Sequence, residues 1–132
     1  VMIGTTTFDF NHQLVVEGSI KAKEVVVTNL GWPDYVFADD YPLTPLEDLE
    51  DLIRSEGHLP GIPSAQEVAE GGIEVGQMQG LLLEKIEELF LHTIEQENKI
   101  KSLQKENETL TDELKTIKKD LEEIKSMLKQ SN

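Results

Sequence analysis

Trp32, Tyr35, Phe37 and Tyr41 fall within ten residues of one another, interleaved with Asp34, Asp39 and Asp40, in a 132-residue chain that is only 5% aromatic. Aromatic faces stack on sugar rings and carboxylates hydrogen-bond sugar hydroxyls. Trp32, Tyr35, Asp39, Asp40 and Tyr41 are therefore candidate contacts to a host or cell-surface glycan. The same rings also suit a small hydrophobic core beneath a helix carrying Leu46, Leu49 and Ile53. Both readings stand on the sequence. Glu47, Asp48, Glu50 and Asp51 extend the acidic run, but consecutive helical acids point to different faces and no EF-hand spacing is present. They read as a solvated helix face rather than a cation site. His58, in the turn-rich run His58-Leu59-Pro60-Gly61-Ile62-Pro63, reads as a hydrogen-bonded turn residue. His92 is expected on the rim of a coiled coil beside Glu97, pointing away from the axis, so three copies of it would not share a metal. No Ser/His/Asp order, glycine-rich phosphate loop or paired-carboxylate motif appears. The expectation is no enzyme, no metal and no cofactor.

Three segments must position these residues. Residues 1–28 read as β: Leu14-Val15-Val16 and Glu24-Val25-Val26-Val27-Thr28 are rich in β-branched residues, and Gly18-Ser19 is a turn signal. Ile20 and Ala22 alternate with Lys21 and Lys23, as in a half-buried strand. Such short strands cannot stand alone in water and need partners. Residues 29–74 form a compact element punctuated by proline and glycine. Thr44-Pro45-Leu46-Glu47 reads as a capped helix start, with Leu46, Leu49, Leu52 and Ile53 on one face and Gly57 at the end. Ser64-Ala65-Gln66-Glu67 is a second capping box, opening a short helix that Gly71-Gly72 ends.

From Val75 to Gln130 there is no proline, and after Gly80 no glycine. With Ile86 placed at a, the a positions of 75–132 are Ile86, Thr93, Ile100, Asn107, Leu114, Leu121 and Leu128. The d positions are Leu82, Leu89, Gln96, Leu103, Leu110, Ile117 and Ile124. Eleven of these fourteen are aliphatic, a pattern long enough to predict a coiled coil. From g to the next e, Glu113 faces Lys118, Asp120 faces Lys125 and His92 faces Glu97, signs that favour parallel, in-register chains. A hairpin would need a turn that this segment lacks. The expected partner is the chain itself. Leu at a with Ile at d points above a dimer, while Asn107 at a points back toward one. Heptads alone leave dimer, trimer and tetramer open, with the trimer favoured.

Net charge is −14, and it is uneven: residues 1–80 carry 3 basic and 14 acidic side chains, residues 81–132 carry 9 and 12. Such a balance argues against nucleic acid or an anionic membrane as partner. No run is long and apolar enough for membrane insertion, no signal peptide is read, and a chain opening on Val1 is compatible with a fragment. Without cysteine there is no disulfide framework, thiolate nucleophile or Cys-based zinc site.

Several ordered motifs carry a resemblance. They are Met2 to Thr7 with its Ile3-Gly4-Thr5, the run Leu14 to Val25, and Gly31-Trp32-Pro33-Asp34-Tyr35-Val36-Phe37 through Tyr41. Gly57 to Ser64, and Gln77-Met78-Gln79 leading into Leu83 to Leu89, complete the set. Over roughly residues 1–100 the chain resembles the C-terminal region of Bacteroidetes tail-fibre-domain proteins. Its layout is also similar to the intramolecular chaperone domain of phage tail fibres and spikes. The resemblance implies an α+β fibrous, homotrimeric fibre terminus. It would have short interleaved N-terminal strands following an upstream fibre shaft, a compact helical element and a long parallel coiled coil. It implies a role in trimerisation and registration, in a setting outside the cell: a phage tail, a phage-tail-like particle or a cell surface. A glycan- or receptor-binding fibre tip is the alternative, and a self-cleaving chaperone another. Self-cleaving members place a serine beside an aspartate at the domain start with a lysine nearby. Between Val27 and Pro45 there is neither serine nor lysine, and Ser19-Ile20-Lys21 has no adjacent acid. Autoproteolysis is not expected.

Overall fold

The computed structural model describes residues 1–7, 9–28 and 31–132. The chain divides into two units, Val1–Leu30 and Gly31–Asn132. The expected start of the compact element at residues 29 and 30 lies outside the described residues.

In the first unit, β1 (Met2–Ile3) and β2 (Val15–Val16) pair in parallel, with Met2 opposite Val15 and Ile3 opposite Val16. Backbone bonds from the Val15 amide to the Val1 carbonyl (2.8 Å) and from the Glu17 amide to the Ile3 carbonyl (3.0 Å) flank the pair. Gly4 follows at φ +77°, where a Cβ would stand 2.9 Å from the Glu17 carbonyl oxygen. Only glycine suits both that dihedral and that approach. The β-branched run Glu24–Thr28 does not become a strand, contrary to expectation. Val25 and Val26 are 72% and 81% exposed, and among the described residues the sheet has two strands. β propensity describes fit to a half-buried surface beside another strand, and among the described residues this unit supplies no neighbour for that run.

The second unit begins with a 3-10 helix, Asp34–Phe37, then α1 (Leu46–Glu56), α2 (Ala65–Gly71) and α3 (Val75–Gln130). Ser64 opens α2 as its sequence predicts. Its hydroxyl accepts from the Glu67 amide at 3.2 Å, and Glu67 accepts from the Ser64 amide at 2.8 Å. α1 departs from expectation: Thr44 does not cap it. Pro45 is the N-cap, with ψ 147°, and offers only its carbonyl, to the Leu49 amide at 3.0 Å. A helix whose N1 was Pro45 would need ψ in the helical range there; with that bond extended, the first turn starts one residue later and Thr44 lies beyond capping reach. Gly57 ends α1 at φ 76°, as expected.

α3 runs without a break for 56 residues, about 84 Å at the helical rise. Its N-terminal third packs against the 3-10 helix. There the core is small: Val36 and Pro33 are the largest fully buried side chains. Beyond Leu91 and His92, every α3 residue is exposed.

Candidate functional site

All eleven aliphatic a and d residues of α3 are exposed in the single chain, between 46% (Leu82) and 62% (Leu89, Ile117 and Leu128). They form one stripe because a seven-residue spacing advances a helix almost two whole turns. The polar a and d positions interrupt it without leaving every donor stranded. At Thr93 the hydroxyl donates to the Leu89 carbonyl at 2.7 Å, so its methyl can enter a buried layer with the oxygen already satisfied. Gln96 and Asn107 are exposed amides on the same stripe.

The compact element sits on the side of α3 that carries Glu84, Glu88 and His92, at heptad positions f, c and g, and its segment 43–46 shares a cavity with His92 and the d residue Gln96. The Tyr35 hydroxyl donates to Glu84, and the Tyr41 hydroxyl donates to Glu88. The two rings lie 6.0 Å apart at 40°. Lys85 closes the network, 3.0 Å from Glu84 Oε1 and 2.9 Å from Glu88 Oε2. Its three members Glu84, Lys85 and Glu88 keep side-chain exposures of only 16–18%.

The electrostatics follow from this packing. The bond from Tyr35 holds the Glu84 carboxyl below the usual range and pushes the Tyr35 phenol up. Burial, then the bond to Glu88, raises the Tyr41 phenol further. Burial works against the Lys85 ammonium, yet the two adjoining carboxylates together raise its pKa. Glu87 is buried; desolvation, reinforced by Asp34 and Glu84, raises its carboxyl, and among the described residues its Oε2 has no hydrogen-bond partner. His92 is also buried, at 6% exposure, and its Nε2 has no partner among the described residues. Segment 43–46 helps line a cavity beside this g residue.

The sequence-predicted glycan contacts are partly brought together. Tyr35 and Tyr41 adjoin, but both hydroxyls are engaged by α3. Trp32 and Phe37 are each 56% exposed, and Asp39 and Asp40 face solvent. The aromatic residues therefore do not form a buried core beneath α1; Val36 and Pro33 occupy that role against α3. Reasoning from sequence missed Glu84, Lys85, Glu87 and Glu88 as packing partners. The available signal was the pair of tyrosines upstream of an acidic turn that does not belong to the a/d stripe. Among the described residues no cluster suited to a metal ion occurs, and no helix is long and apolar enough to cross a membrane. No known protein family, curated protein or solved structure matches the chain.

Proposed function

We propose that this chain is a non-enzymatic self-association and registration module at the C-terminal end of a fibre protein, acting as a parallel homotrimeric coiled coil. One observation carries the reading: the aliphatic a and d residues stay exposed along α3 although the compact element packs on the same helix. Each half-exposed leucine or isoleucine has on the order of 1 kcal/mol still to gain from burial. Beyond His92 α3 is exposed throughout, and among the described residues no buried contact justifies a helix of that length. Its local ion pairs, such as Lys101–Glu97 at 3.1 Å and Lys125–Glu122 at 3.0 Å, contribute only a few tenths of a kcal/mol each. Self-association supplies what is missing.

The fibre setting and three-fold order rest on the resemblance and on Leu114/Ile117 and Leu121/Ile124, whose a/d choice favours more than two strands. A fibre terminus of this kind would act as a chaperone by bringing chains together in register. It would raise the effective concentration of adjoining strands to the millimolar range. An external location, on a phage tail, a phage-tail-like particle or a cell surface, belongs to the same proposal. Light scattering on a dilution series tests it: three chains of 14.9 kDa give about 45 kDa, held on dilution. A monomer at micromolar concentration would refute the module, and a stable dimer would refute the trimer.

The exposure of Trp32 favours a second reading, a fibre tip that binds glycans by stacking. Under it, Trp32→Ala removes signal on a glycan array while the oligomer's mass is unchanged. An array blank for the unaltered chain would dismiss this reading.

A further inference from the structure

α1 is amphipathic, yet none of its residues is buried. Leu46 and Ile53 are 46% and 42% exposed, and with Leu49 they line an open groove of about 550 Å³ rimmed by Glu50 and Arg54. Leu46 also has a second place: with Leu43 and Pro45 it lines the cavity that Gln96 and Lys99 bound from α3. Gln96 is a d residue and Lys99 a g residue, so the start of α1 stands at the edge of the a/d stripe, on its g side. A parallel neighbour that covers the stripe at that height meets α1 there.

A second exposed apolar patch lies on the other side of the stripe. Phe90 at e and Ile94 at b are 60% and 55% exposed. Every later e or b residue of α3 is polar or charged, so this flank is apolar only in the part of the helix that the compact element accompanies. At the same height the stripe itself is polar, carrying Thr93 at a and Gln96 at d. In parallel, in-register chains the g flank of one helix lies against the e flank of the next. The flank that carries Phe90 and Ile94 is thereby brought to the flank where α1 begins. Within one chain the two patches are separate: Phe90 and Ile94 line neither the groove on α1 nor the cavity at its start.

We propose that in the assembled coiled coil α1 of each copy packs its Leu46, Leu49 and Ile53 face on Phe90 and Ile94 of the adjacent copy. This rests on the self-association reading and adds to it an interface outside the a/d stripe. The occupant is a second copy because the pairing of g with e flanks delivers a matching apolar patch to that place. The contact supplies apolar burial off the axis at a height where Thr93 and Gln96 provide little on it. The compact element then clamps two helices, its own through Tyr35 and Tyr41 and the neighbour's through α1.

A double-mutant cycle in the full chain tests this. Leu46→Ala and Phe90→Ala should each raise the concentration at which the oligomer half-dissociates by about tenfold, and the two together by clearly less than the product. Both side chains are exposed in the single chain, so neither change should lower its helix content by circular dichroism. As a check that does not depend on stability, chains bearing only Leu46→Cys are refolded with chains bearing only Phe90→Cys and treated with a short bismaleimide. The unaltered chain has no cysteine, so a link between positions 46 and 90 joins two chains. Such a link, found by mass spectrometry, is the expected result. Chains that do not associate overturn the self-association reading and this contact together. An oligomer in which the two effects multiply, or in which no such link forms, overturns this contact alone and leaves the face of α1 to a partner of different sequence.

Discussion

Glu84 and Glu87 stand three residues apart on α3 and respond to neighbouring surroundings in opposite directions. Glu84 accepts from Tyr35 and from Lys85, and its carboxyl is held low. It stabilises the fold above its unfolded pKa, and that contribution is lost as pH falls through the depressed folded value. Glu87 is desolvated near Asp34 and Glu84, and its carboxyl is held high. Its ionisation opposes folding above the raised folded pKa, and the cost disappears as pH falls through it. Glu87→Gln is therefore expected to raise the thermal midpoint at neutral pH, with the gain shrinking to nothing on acidification. Thermal melts of both chains across a pH series measure it; a gain independent of pH would mean that the glutamine acts by packing rather than by removing a charge. Neither group announced itself in the sequence, where both were acids of a mixed-charge helix. Their difference arises from what the 3-10 helix lays over them.

At the scale of elements, legibility tracked how local each cause was. Ser64 and Glu67 bond across three residues, so their capping box is complete in four letters and the structure reproduces both bonds. Thr44 carries the same letters ahead of α1 and fails, because Pro45 takes an extended ψ that no local pattern dictates. The continuity of α3 is likewise legible locally, in the absence of proline from Val75 to Gln130 and of glycine after Gly80. The run Val25-Val26-Val27 shows the converse. Its composition states that it would fit a sheet but not whether a neighbouring strand exists to make one.

For the whole molecule, assembly order is the testable matter. Strands that must interleave between chains face a loop-closure and alignment cost before any contact repays it, and flat pairings slip easily. A parallel coiled coil lowers that cost by holding chain ends together. Removal of residues 100–132 takes away five of the seven a positions and is expected to abolish oligomer formation at micromolar concentration. Under the proposed self-association, a truncated chain that still forms the full chain's oligomer by light scattering on dilution would place the driving contacts in the compact element or the strands.

What the sequence by itself determined is periodic or short-ranged: the length of α3, the a/d stripe, the capping of α2, the glycine that ends α1, and the acidic surface. These follow from residue types at spacings the chain carries within a few turns. Only the tertiary structure decided which face of α3 the compact element covers, that Tyr35 and Tyr41 spend their hydroxyls on Glu84 and Glu88, and that His92 is buried. Those outcomes depend on contacts between residues about fifty positions apart, such as Tyr35 with Glu84. No local pattern encodes them. They are chosen by which surfaces can exclude water together while leaving the apolar stripe free.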